Sequence, residues 1–252
     1  MVRKIAFLLL AVLLTGCAAA PVTTIPTTIA PTTAATVATT ATTVAVTEAP
    51  VIAPEAMELT LQAQGYSLET LEQLACTQLL TVVSDGQRAR IVFYIREGSA
   101  WQAVFACDGF VGKKGTTDQK REGDLCTPRG LYPIGEAFYI GLPPQTLLPA
   151  FAITGQTYWV DDPNSVYYNQ RVEGTQNRDW RSAEHMIRHE DLYGLGFVIG
   201  YNTRDIVPGA GSAIFFHRGD SYTAGCVAVG HEDLLELLAG LDGRCMPHIL
   251  IE

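Results

Sequence analysis

The 252-residue chain carries 26 acidic against 17 basic side chains, a formal net charge of −9. That excess of carboxylates repels phosphate backbones, and without a basic stripe to offset it no nucleic-acid partner is expected. Apolar residues make up 48% of the sequence, beside 23 glycines and 13 prolines. This excludes a coiled coil or disorder throughout and suits a glycine-punctuated β-rich domain, and a single long apolar run excludes a polytopic membrane protein.

That run comes first. Arg3 and Lys4 precede the apolar stretch Ile5–Leu14, too short to cross a hydrocarbon core as a helix and proportioned as an export signal. It ends in Leu14, Thr15, Gly16 and Cys17, which resembles a bacterial lipobox. Residues 1–16 are therefore expected to be a lipoprotein signal peptide. Cys17 is the expected lipidation site, with the protein exported and held on the membrane by its lipid. Residues 17–56 follow as the lipidated cysteine and a Thr/Ala/Pro-rich linker. Its stretch Ala18–Ala56 has no aromatic residue, glycine, lysine or arginine. Such a segment has too little large apolar surface to offset the entropy of ordering, so it reads as a disordered spacer.

From Met57 the composition changes. Residues 57–77 read as a helical lead-in, with Ser67 capping a short helix that carries Leu68, Leu71 and Leu74 on one side. Residues 78–252 read as the main domain. Strands are expected at Gln78–Val83, Arg90–Arg96 and Trp101–Cys107, the last two joined by a turn at Glu97 and Gly98. Further strands are expected at Tyr132–Ile140, Tyr158–Val160, Gly196–Tyr201 and Ser212–His217. A helix over Glu232–Leu241 places Leu234, Leu237, Leu238 and Leu241 on one face, with Gly243 as its stop. The expected class is mostly β with short flanking helices.

With Cys17 set aside, cysteines remain at 76, 107, 126, 226 and 245, an odd number that suggests a free reactive thiol in an oxidising compartment. Cysteines 76, 107, 126 and 245 would allow three pairings if fully bridged. Cys226 follows Gly225, which permits a tight turn beside backbone N–H groups, and His217 ends a nearby strand. A histidine close in space can take the thiol proton, and the thiolate then attacks carbonyls. An activated thiol of this kind is expected to react below the ordinary cysteine pKa of ~8.5.

Two blocks carry a resemblance. Lys120 to Asp124, followed by Thr127, Pro128, Arg129, Gly130, Leu131 and Tyr132, resembles the K-x-G-D-x-x-T-P-x-G-x-(Y/F) run of L,D-transpeptidase catalytic domains, the YkuD-like family. His217 and the run Thr223–Val227 resemble that family's histidine followed by (S/T)-x-G-C-(V/I). The resemblance implies a β-sandwich-like fold and a cysteine transferase that cross-links peptidoglycan stem peptides, without cofactor or metal and expected as a monomer. It assigns Cys226 as nucleophile, His217 as proton acceptor and donor, and Gly225 with the Cys226 N–H as oxyanion partners. Thr223, Lys120 and Asp124 become candidate substrate-binding residues. Trimming of stem peptides with water as acceptor, or non-catalytic peptidoglycan binding, are the alternative activities. Two departures stand out: Ala228 occupies a position where the family commonly has arginine or asparagine, and the histidine-to-cysteine interval is short. The imidazole is then expected to be steadied by a backbone carbonyl or by Glu184.

Other residues read more plainly. His185 and His189, four apart, suit a surface or capping role better than a metal site. Asp161, Asp162 and Pro163 read as a turn. Trp159, Tyr167, Tyr168 and Trp180 suit either a groove or a core.

Overall fold

The computed structural model describes residues 54–252. The expected leader, the lipidation site Cys17 and the linker as far as residue 53 lie outside them. Helix α1 (Pro54–Ala63) takes in the last three residues assigned above to the linker. Helix α2 (Leu68–Gln73) is closed at its start by a capping box in which Ser67 and Thr70 exchange side-chain and backbone hydrogen bonds, satisfying N–H groups that a helix start leaves unpaired. Leu71 is fully buried, while Leu74 lies past the helix and is exposed.

Strands β1 (Gln78–Asp85), β2 (Arg88–Glu97) and β3 (Ala100–Phe110) form an antiparallel meander. Two short strands, β4 (Thr116–Thr117) and β5 (Thr127–Pro128), pair in parallel. Then come β6 (Gly130–Tyr139) and β7 (Ala150–Ala152). A small sheet follows, made of β8 (Thr157–Val160), β9 (Arg171–Glu173) and β10 (Ala183–His185). A 3₁₀ turn (Met186–His189) and helix α3 (Glu190–Tyr193) lead into β11 (Leu195–Ile199), β12 (Phe215–Arg218) and β13 (Val227–Val229). Helix α4 (His231–Gly240) and β14 (His248–Ile251) end the chain.

The large sheet runs β11-β12-β13-β3-β2-β1-β14-β6-β7, and β6 also pairs with β11. Gly130–Pro133 of β6 bond β14 and Ile134–Tyr139 bond β11, so the sheet closes on itself. Period-two alternation assigns the faces. Leu80, Val82, Ile91, Phe93, Phe216, Val227, Val229, Ile249 and Ile251 join the main core together with Leu234, Leu237 and Leu238 of α4. The intervening Leu79, Val92, Tyr94 and Leu250 pack against Met57, Leu61 and Leu71 of the lead-in helices. Both faces are covered, which explains why these strands read as nearly continuous apolar runs. Each fully buried Leu, Ile or Phe stabilises the fold by roughly 1.5–3 kcal/mol.

Two expectations are corrected. Helix α4 ends at Gly240, and Gly243 begins a separate 3₁₀ turn instead of stopping the helix. The strand expected from Ser212 starts only at Phe215, because Ala213 adopts φ +53° and breaks the extended run. All five described cysteines are free thiols.

Candidate active site

Strands β12 and β13 run in parallel, with Phe216 opposite Val227 and His217 opposite Ala228. Alternation sends Phe216, Val227 and Val229 into the main core. It leaves Phe215, His217, Cys226 and Ala228 on the other face, where Cys226, His217 and Ala228 line a cavity of about 290 Å³. Lys120, Glu122, Glu184, Tyr193, Ser212 and Thr223 complete much of its wall.

The turn into Cys226 needs its glycine. Gly225 has φ +155°, and an added Cβ would stand 3.1 Å from the Cys126 carbonyl oxygen. Two threonine hydroxyls then hold the Cys226 carbonyl. Thr223 Oγ1 donates to it at 2.6 Å while accepting the Gly225 N–H at 3.0 Å. Thr127 Oγ1 donates to it at 3.1 Å while accepting the Gly112 N–H at 2.8 Å. The two sequence blocks therefore meet at one carbonyl oxygen. Thr223, expected to bind substrate, is engaged in building the turn. The Gly225 N–H is likewise committed to Thr223, which leaves the Cys226 N–H, without an acceptor among the described residues, as the backbone donor for an oxyanion.

Lys120 and Asp124 form one unit. Lys120 Nζ lies 2.6 Å from Asp124 Oδ1 and its side chain is only 4% exposed. Asp124 also accepts the N–H groups of Arg121 and Cys126. Burial lifts the Asp124 carboxyl, but Lys120 and those two N–H groups outweigh it and hold it below its usual range. Lys120 reaches the cavity wall; Asp124 is spent holding it.

The Cys226 thiol is held between two backbone groups. Cys226 Sγ donates to the Ala213 carbonyl at 3.3 Å and accepts the Phe215 N–H at 3.3 Å. Ala213 is presented by Asn169, whose Oδ1 accepts both the Ala213 N–H at 3.0 Å and Trp159 Nε1 at 2.9 Å. Asn169 Nδ2 donates to the carbonyls of Tyr201 and Asn202. Burial first, and the nearby Glu184 carboxylate second, push the Cys226 thiol up to about 12. Burial also raises Cys107 to about 12 and Cys76 to about 11. Sharing one cavity wall with His217, not resting acidity, sets Cys226 apart.

His217 Nδ1 lies 2.7 Å from the Arg218 carbonyl. A carbonyl oxygen can only accept, so Nδ1 carries the proton and Nε2 keeps the basic lone pair. Burial lowers the His217 pKa, against the opposing pull of that bond. Of the two candidates to steady the imidazole, the backbone carbonyl does so. Glu184 instead accepts the Tyr193 hydroxyl, and the Tyr193 ring meets His217 edge-on at 5.7 Å.

His185 ends β10 and stacks on Tyr158 at 4.4 Å, while His189 closes the 3₁₀ turn, so the two do not share a helix face. Asp162 caps a turn by accepting the N–H groups of Asn164 and Arg181. Trp159, Tyr168 and Trp180 are buried. Sequence reasoning missed Thr127 as a support of the nucleophile, although it stood inside a quoted block. It missed Asn169 and Tyr193 altogether, since nothing local distinguishes them.

A family model described as the L,D-transpeptidase catalytic domain, YkuD, matches residues 78–243. No curated protein matches the chain. Among solved structures, that of Bdellovibrio bacteriovorus Bd1075 is similar at 18% identity, with a TM-score of 0.35, over 71% of this chain and 52% of that one. The chain thus spans about half the length of that protein.

Proposed function

The chain belongs to the L,D-transpeptidase catalytic-domain family, and on that premise we propose that it is an exported cysteine acyltransferase of peptidoglycan stem peptides. The observation that supports this most is the placement of Cys226 and His217 on one face of adjacent strands, lining one cavity. In this reading the stem carbonyl enters above Cys226 and His217 Nε2 takes the thiol proton as sulfur attacks. The proton then passes to the departing D-alanine amine, leaving a thioester on Cys226. A neighbouring stem's amine resolves it. The raised thiol pKa means that proton transfer accompanies attack rather than preceding it, with the Cys226 N–H offered to the developing oxyanion.

A carbapenem tests the nucleophile. Intact-mass analysis of wild type should show one drug equivalent, mapped to the peptide containing Thr223–Val227. Cys226→Ala should show none although cysteines 76, 107, 126 and 245 remain, and His217→Ala should acylate about 10²–10⁴-fold more slowly. An adduct persisting in Cys226→Ala would overturn the mechanism.

We also propose the lipid anchor at Cys17, from the lipobox-like run before it. Cys17→Ser should move the protein from the membrane to the soluble fraction of cells; identical fractionation of the two forms counts against the anchor.

A further inference from the structure

A carboxylate beside a nucleophilic thiol opposes thiolate formation, yet the cavity keeps Glu184 there, where its charge helps lift Cys226. The side chain is not spent on structure alone. Its Oε2 accepts the Tyr193 hydroxyl, while Oε1 has no hydrogen-bond partner and no lysine or arginine pairs with Glu184 among the described residues; the side chain is half-buried and lines the cavity. The nearest cation on the wall, Lys120, is already held by Asp124. Nor does Glu184 orient the imidazole, which the Arg218 carbonyl holds. The charges that bear on it are of its own sign: Asp161, whose buried Oδ1 lacks a partner among the described residues, and Glu122, which accepts Ser212 Oγ at 2.8 Å. An uncompensated carboxylate in a cavity calls for a cation brought by the substrate.

We infer that Glu184 is the group that receives the acceptor, binding the ammonium of the incoming primary amine beside the Cys226 thioester and taking its proton. This rests on the acyl-transfer reading above. An ammonium has no lone pair and cannot attack. Transfer of one proton to the Glu184 carboxylate gives a neutral amine and a carboxylic acid. The amine nitrogen then bonds to the thioester carbon, the C–S bond breaks, and the second nitrogen proton passes through His217 to the departing sulfur. The products are an amide, the free Cys226 thiol and a protonated Glu184 that returns its proton to solvent. Burial, opposed by the Tyr193 hydrogen bond and aided by Asp161 and Glu122, places the Glu184 carboxyl at about 7, close to where a general base works best at neutral pH.

The test is the partition of the acyl-enzyme. The full chain is given a stem tetrapeptide ending in D-alanine, with Nα-acetyl-lysinamide as acceptor, and amide and hydrolysis products are counted by mass spectrometry. Their ratio is independent of how fast the thioester forms. Glu184→Gln, which can still accept the Tyr193 hydroxyl, should lower the amide-to-hydrolysis ratio at least tenfold. Hydroxylamine, unprotonated at neutral pH, should restore acyl transfer in the variant and so show that it is folded; Glu184→Ala should behave alike. A ratio unchanged in Glu184→Gln, or a loss that hydroxylamine does not rescue, overturns the inference while leaving the acyl-enzyme intact. Absence of any acyl-enzyme in wild type overturns the parent reading, and this one with it.

Discussion

The part of the cavity wall built from the two sequence blocks differs from the part built by β10 and α3. In the first, the polar groups are largely occupied: both lone pairs of the Cys226 carbonyl by Thr127 and Thr223, and the Lys120 ammonium by Asp124; outside the blocks, the Asn169 amide that holds Ala213 has four partners. In the second, Glu184 keeps a free oxygen beside two other acids. In the proposed reading Cys226 needs a fixed position, and saturated hydrogen bonds provide it. Glu184, proposed to meet the acceptor, keeps capacity in reserve, and its partly desolvated charge costs stability. The contrast explains how one cavity is both rigid and receptive.

Breaking the saturated side should produce the larger effect. Asn169→Ala strands the Ala213 N–H and Trp159 Nε1 without their acceptor and should destabilise the domain by roughly 3 kcal/mol, since each buried unsatisfied group costs about 1–3 kcal/mol. Denaturant unfolding measures this, and a change below about 0.5 kcal/mol would show that the network is not holding the fold. With Ala213 released, iodoacetamide should also alkylate Cys226 faster at neutral pH. The same loss of stability with an unaltered alkylation rate would separate the fold from the positioning of sulfur.

The receptive side can be sharpened by pH. The Glu184 carboxyl is raised from its ordinary 4.5 to about 7, so the folded state holds the proton more tightly than the unfolded chain. That contribution to stability is complete below about pH 4.5 and is lost as pH rises through about 7. Wild type should therefore lose on the order of 2 kcal/mol more than Glu184→Gln between pH 5 and pH 8, allowing for partial solvent screening. Parallel stability profiles for the two proteins would mean that the carboxylate is solvated in the cavity.

Much of this was readable along the chain. Runs rich in β-branched and aromatic residues between turn signals marked β1, β2, β3 and β6, because that composition is a local property of a strand. The His217 and Thr223–Cys226 blocks stood out because turn chemistry and nucleophile need particular residue types at adjacent positions. By contrast, the short final strand His248–Ile251 looked unremarkable, yet it sits between β1 and β6 and its pairing with them completes the closed sheet.

What the linear sequence determined, then, were the longer strands, the helix α4 and the two motif blocks, whose signals lie within a few neighbours of one another. Tertiary structure decided the protonation and partners of those residues. The burial that lifts the Cys226 thiol, the Arg218 carbonyl that selects the His217 tautomer, and the convergence of Glu122, Asp161 and Glu184 all depend on strands far apart in sequence being brought together. Burial and Coulomb interaction act through space, and space is assigned only when the sheet closes.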